Sequence, residues 1–81
     1  MIVVVRFFAR ARDLAGTASA SVEMPTGVTI KELRARLQQR FPALQGLLER
    51  SALAVGDEFA DDDTVLTSNV EVAMLPPVSG G

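Results

Sequence analysis

Residues 2–8 read IVVVRFF, a run of β-branched and aromatic side chains that is interrupted only by Arg6. Such a run predicts a β-strand, in which successive side chains point to opposite faces of a sheet. We expect Arg6 to face solvent. The solvent face then also holds Ile2, Val4 and Phe8, and the core face holds Val3, Val5 and Phe7. A strand of this kind needs a partner strand and a covering layer.

Residues 17–24 predict the partner strand, because polar side chains alternate there with small or apolar ones. The small or apolar ones are Ala18, Ala20, Val22 and Met24. Residues 9–16 are interpreted as a connection that contains the charged segment Arg10-Ala11-Arg12-Asp13. The two strands are expected to form a hairpin, and Pro25-Thr26-Gly27 ends the second one.

The covering layer is predicted to be a helix that begins at a capping box formed by Thr29 and Glu32. Its apolar face is expected to hold Ile30, Leu33, Leu37 and Phe41. Pro42 should end this helix, because proline disfavours helical geometry in the residue before it. Residues 43–50 are predicted to add a short helical turn.

Three shorter strands are predicted after the helices. Residues 53–55 and 58–60 flank a turn at Gly56-Asp57, and residues 70–75 form the last strand with Glu71 facing water. The order ββαβββ predicts an α+β fold, an open sheet packed on one main helix. At 81 residues and 48% hydrophobic content, one domain is expected. Residues 1–77 are assigned to it, and residues 78–81 to a flexible tail.

The amino-acid composition excludes several kinds of functional site. The chain has no cysteine and no histidine, which excludes thiolate metal sites, cysteine nucleophiles and the usual proton shuttle near neutral pH. The short apolar run at the N-terminus predicts neither a signal peptide nor a membrane span, and a cytoplasmic location is expected.

Charge is unevenly distributed. Residues 1–50 contain all 8 basic residues and 4 acidic ones, whereas residues 51–81 contain 6 acidic residues and no basic one. Acidic residues interrupt the basic ones, so a nucleic-acid partner is not expected. The acidic half suits a basic protein partner, and an ordinary solvated surface explains it equally well.

No motif of a catalytic triad, a zinc protease or a phosphate-binding loop occurs in the chain. Asp61-Asp62-Asp63 is interpreted as a charged turn that protects an edge strand, because its spacing is not that of a calcium loop. We expect no metal site and no catalytic site in this chain.

The last residues form a more specific pattern. Pro76-Pro77 favours an extended exit from the sheet, Val78 and Ser79 continue it, and Gly80-Gly81 has the smallest cross-section that a peptide offers. The segment from Val78 to Gly81 reaches about 13 Å when extended. It could enter a narrow tunnel in another protein and present its carboxylate there. A frayed chain end is the alternative.

An apolar patch is predicted beside the root of this tail. Phe8 and Leu75 both face solvent by strand alternation, and Phe59 is a candidate third member. Such a patch often marks a partner surface, unless a loop or the second helix covers it.

The sequence resembles the small, sulfur-carrying subunit of molybdopterin synthase over essentially its whole length. The family's Phe-Phe-Ala-x-x-Arg-(Asp/Glu)-Leu-x-Gly block is matched by residues 7–16, and its closing block by residues 71–81. Gly56, where the family usually has Asn, and Val70, where an acid is common, depart from the pattern.

The resemblance implies a ubiquitin-like β-grasp fold, a mixed sheet of about five strands whose first and last strands are parallel neighbours. It also implies that Gly81 is the reacting residue, as a glycyl adenylate and then a thiocarboxylate, with Gly80, Ser79 and Val78 giving access. An ATP- and magnesium-dependent activating enzyme and a sulfurtransferase would load it.

The loaded tail would then enter the large synthase subunit and give sulfur to cyclic pyranopterin monophosphate, in a heterotetramer. The partner surface is expected at Phe8, Phe59, Leu75, Pro76 and Pro77, and the adjacent first and last strands that the resemblance implies would bring Phe8 and Leu75 close. A ubiquitin-like protein modifier and a thiamine-pathway sulfur carrier remain alternatives, because both share the fold and the Gly-Gly ending.

Overall fold

The computed structural model describes residues 1–77. Its strands are β1 (Ile2–Phe7), β2 (Ser19–Glu23), β3 (Ala52–Val55), β4 (Glu58–Ala60) and β5 (Val70–Leu75). Its helices are α1 (Arg10–Ala15), α2 (Ile30–Arg40) and α3 (Gln45–Arg50), with a 3₁₀ turn at Pro42–Leu44 before α3. The strands form one sheet in the order β2-β1-β5-β3-β4. The predicted α+β class, with a mixed sheet of five strands packed on one main helix, is confirmed.

The two ends of the described chain meet at the centre of this sheet. β1 and β5 run parallel, with Val3 opposite Val70 and Phe7 opposite Met74. β1 also pairs antiparallel with β2, and β5 pairs antiparallel with β3. This is the central parallel pair that the resemblance implies.

One face of the sheet is buried beneath the helices. Strand alternation is confirmed, since the side chains of Val3, Val5, Phe7, Val72 and Met74 are all buried. The helical layer buries Ile30, Leu33, Leu37, Leu44, Leu47 and Leu48 against them. We call this buried side the inner face and the opposite side the outer face.

The main helix begins and ends where the sequence predicts. The Glu32 amide donates to the Thr29 hydroxyl at 3.3 Å, which forms half of the capping box. The Thr29 hydroxyl also donates to the Glu32 carboxylate at 3.4 Å, a side-chain contact that is not the second backbone bond of the box. Phe41 follows the helix and packs edge-on against Phe7, with ring centroids 5.3 Å apart. Among residues 1–77, no helix is long and apolar enough to cross a membrane.

The interpretation of residues 9–16 as a plain connection is wrong, because they contain α1. Ala9 has φ 51°, which turns the chain sharply after β1, and the Gly16 amide closes the helix on the Arg12 carbonyl at 3.0 Å. Only Ala11 is buried in this helix. One small buried residue gives no apolar periodicity, so the pattern held no helix signal.

The strand predicted at residues 17–24 is shorter than expected. Ala18 is exposed and precedes β2. The Thr17 hydroxyl donates to the Ser19 carbonyl at 3.0 Å and so bends the chain where the alternation pattern predicted a strand. The Gly56 turn lies where expected. Gly56 has φ 60°, a conformation that glycine and asparagine adopt most readily, so the departure from the family's asparagine preserves the turn.

The acidic turn at residues 61–64 is hydrogen-bonded to the helical layer. Asp61 accepts bonds from the Asp63 amide and the Thr64 hydroxyl, both at 3.1 Å, which confirms a turn. The Arg34 guanidinium bonds to the Asp62 carboxylate at 3.0 Å and also donates to the Leu48 carbonyl. Arg34 therefore joins α2, α3 and this turn.

Replacing Arg34 should destabilise the domain more than replacing its acidic partner. Arg34→Met removes a partly buried charge-assisted bond as well as the ion pair, and we expect a cost of about 1–2 kcal/mol. Asp62→Asn removes only the half-exposed ion pair, for less than about 1 kcal/mol. Urea unfolding of both variants checks this, and equal losses would show that the Leu48 contact contributes nothing.

Candidate functional site

The tail residues that the sequence singles out, Val78, Ser79, Gly80 and Gly81, lie outside the described residues. The structure shows the path that leads to them. β5 ends at Leu75, after which Pro76 is half-buried and Pro77 is exposed. The chain therefore leaves the domain from a central strand of the sheet and not from an edge strand.

The structure brings Phe8 and Leu75 together at this exit. Phe8 directly follows β1 and Leu75 ends β5, and the residues before them, Phe7 and Met74, are opposite each other. Strand alternation places both side chains on the outer face. Phe8 is 44% exposed and Leu75 is half-buried.

Phe59 lies on the same face but further away. It is opposite Ala54 on the neighbouring strand, and Ala54 in turn is opposite Ala73. Phe59 is 76% exposed, because β4 is an edge strand and no element within residues 1–77 covers it. The predicted patch is therefore a band that runs from Phe8 and Leu75 to Phe59 across alanine side chains.

Sequence reasoning missed the middle of this band. Ala52 and Ala54 belong to it through their pairing with Leu75 and Ala73, and Ala54 is buried. The alternation of β5 indicated Ala73, but the alternation within a four-residue strand without polar side chains cannot tell which face is which.

Among the described residues, the outer face also contains one ion pair. Arg6 Nε lies 2.6 Å from Glu71 Oε1, and the two side chains are 52% and 57% exposed. Arg6 is opposite Ala73 and Glu71 is opposite Val4, so the pair joins β1 and β5 diagonally.

The rest of the described surface contains a groove but no candidate metal site. Among residues 1–77, no group of three or more His, Cys, Asp or Glu side chains is placed to hold a metal ion. A groove of about 290 Å³ is lined by Met24, Pro25, Val28 and one side of α2. It lies beside the start of β1, at the opposite end of the sheet from Leu75.

These features define a β-grasp domain with an apolar outer face beside the root of its C-terminal segment. The ThiS family profile matches residues 5–81, and the chain belongs to the ThiS family. A relative from Arabidopsis thaliana, named molybdopterin synthase sulfur carrier subunit, is 35% identical over 95% of this chain and 80% of its own length.

Two solved structures are similar over the whole chain. SAMP1 from Haloferax volcanii has a TM-score of 0.88 at 22% identity, with 100% of both chains covered, and supports the fold alone. A chain in a complex of subunits 1 and 2 of molybdopterin-converting factor from Helicobacter pylori has a TM-score of 0.73 at 33% identity, again with 100% of both chains covered.

Phe7 on the inner face and Phe59 on the outer face should respond differently to the same substitution. Phe7→Leu should cost about 1–2 kcal/mol of unfolding free energy, because Phe7 is buried and loses its ring contact with Phe41. Phe59→Leu should change stability by less than about 0.5 kcal/mol. Chemical denaturation measures both, and a large loss for Phe59→Leu would mean that this side chain serves the fold.

Proposed function

We propose that this chain is the sulfur carrier and small subunit of a molybdopterin synthase. The observation that carries the proposal is similarity over 95% of this chain to a relative of that name. The fold supports it, because the central strand β5 leads into the segment that ends in Gly80-Gly81. The chain supplies the sulfur-bearing group, and the large subunit supplies the catalytic residues. A chain without cysteine suits the reducing cytoplasm, where we place this reaction.

The proposed chemistry takes place on the Gly81 carboxylate. A carboxylate is a poor electrophile, so an activating enzyme with ATP and Mg²⁺ must first convert it. A Gly81 oxygen attacks the α-phosphorus of ATP and pyrophosphate leaves, which forms the glycyl adenylate. A persulfide from a sulfurtransferase then displaces AMP, and a thiol reductant cleaves the S–S bond to leave a thiocarboxylate.

The sulfur is then transferred in the large subunit. The thiocarboxylate sulfur bonds to a carbon of cyclic pyranopterin monophosphate as a carbon–oxygen bond of that substrate breaks and its oxygen departs as the leaving group. Water then hydrolyses the resulting thioester, which leaves the sulfur on the substrate and returns Gly81 to a carboxylate. A dithiolene requires a pair of such transfers, which suits a heterotetramer with a pair of carriers. Glycine at positions 80 and 81 lets the reacting carbonyl pass through a narrow entrance.

We propose that the outer face docks on the large subunit. The band from Phe8 and Leu75 to Phe59 supplies apolar area beside the exit of the tail, and the rings of Pro76 and Pro77 restrict the backbone at that exit. Docking at the root of the tail would bring Gly81 within reach of the partner's active site.

A ubiquitin-like modifier would use the same fold and ending for a different product. It would form an isopeptide bond with a target lysine, which survives reducing and denaturing gels. A thiamine-pathway carrier would carry the same thiocarboxylate but would not support synthesis of molybdopterin. These products separate the three functions.

Intact mass spectrometry tests the chemistry on Gly81. After incubation with activating enzyme, ATP, Mg²⁺ and a sulfur donor, the protein should gain the mass difference between sulfur and oxygen. A variant with one residue added after Gly81 should fold normally and gain nothing, because its carboxylate is displaced. An unchanged mass for the wild-type protein, with an activating enzyme that loads its own control carrier, would contradict the proposal.

Binding measurements test the docking face. Phe8→Asp should weaken binding to the purified large subunit by about 100-fold, because it places a charge within the apolar contact beside the exit of the tail. Val65→Asp is the matched control, since Val65 is 52% exposed and pairs with Thr29 beside α2. Calorimetry should show near-normal affinity for the control. Equal losses in the two variants would rule out a specific role for the outer face.

A further inference from the structure

The Arg6–Glu71 ion pair is unusual for its position. The outer faces of β1, β3 and β5, with Phe8, contain no other charged side chain among the described residues. Their remaining members are apolar: Ile2, Val4, Phe8, Ala52, Ala54, Ala73 and Leu75. The polar and charged side chains on this face of the sheet otherwise lie on β2, at Ser19, Ser21 and Glu23.

The pair contributes little to folding. Both side chains are more than half exposed, and an ion pair in water gains little because solvent screens it and two long side chains become ordered. β-branched residues would suit these central strand positions better. Stability of the free domain therefore does not explain why charges occupy the middle of an apolar face.

The energetics change when a partner covers the face. A single charge that is buried without a partner is strongly unfavourable, whereas a bonded pair of opposite charges is close to neutral. Arg6 and Glu71 are already bonded at 2.6 Å in the free domain. The face can therefore remain hydrated when free and be covered without an unpaired charge.

We propose that Arg6 and Glu71 neutralise each other within the docking face, so that the large subunit places an uncharged surface over them and not an opposing charge. This inference rests on the proposed function, because it takes the large subunit as the partner that covers the face. The pair then determines specificity, since a partner with a charge at this position would disrupt it.

A double-mutant cycle on binding to the large subunit tests the inference. Arg6→Gln and Glu71→Gln each leave one charge unpaired, and each should weaken binding by about tenfold or more. The double variant contains no charge to bury, and its affinity should return to within about threefold of wild type. Arg36→Gln on α2 and Glu49→Gln on α3 make the same charge changes on the helical layer and should bind normally.

The outcomes separate the two proposals. Wild-type protein that fails to bind any large subunit contradicts the proposed function itself. Wild-type binding with both single variants unaffected overturns only the inference, because the pair then lies outside the covered area. Loss in one single variant that persists in the double variant also overturns it, since that residue would then bond to a charge on the partner. Thermal unfolding of each variant confirms that the domain remains folded.

Discussion

The parallel pairing of β1 with β5 determines both the fold and the position of the candidate site. Parallel neighbours require a long crossover, and here nearly all of the remaining chain forms it, from residue 8 to residue 69. The central pair forms only when the two ends of the chain meet. The hydrophobic residues of the intervening helices stabilise that meeting, because α2 and α3 cover the inner face of both strands.

The two faces of the central strands have different roles. Inward side chains such as Val5 and Val72 are fully buried. They stabilise a domain that, because of its small size, buries only a modest fraction of its surface on folding. Outward side chains do not have to fill the core, and on these strands most of them form the apolar band beside the exit of the tail. Since β5 leads directly to Pro76 and Pro77, any partner that covers this band also lies beside the point where the chain leaves the sheet.

The sequence predicted some structural elements correctly and missed others. Strand alternation with one charged residue in each central strand, Arg6 and Glu71, was enough to assign both faces correctly, and the apolar spacing of α2 fixed the covering layer. α1 was missed because it buries only Ala11, and its start depends on the backbone of Ala9 and not on side-chain pattern. The pairing of Arg6 with Glu71 was also missed, since the residues are 65 positions apart and only the sheet register joins them.

Methyl NMR of the labelled carrier, titrated with the large subunit, tests most directly whether the face beside the tail is the one that docks. We expect the methyl signals of Val4, Ala73 and Leu75 to shift or broaden, while those of Val28 and Ala35, in the groove beside α2, stay in place. Changes confined to the groove and α2, with the outer-face signals unmoved, would contradict the account.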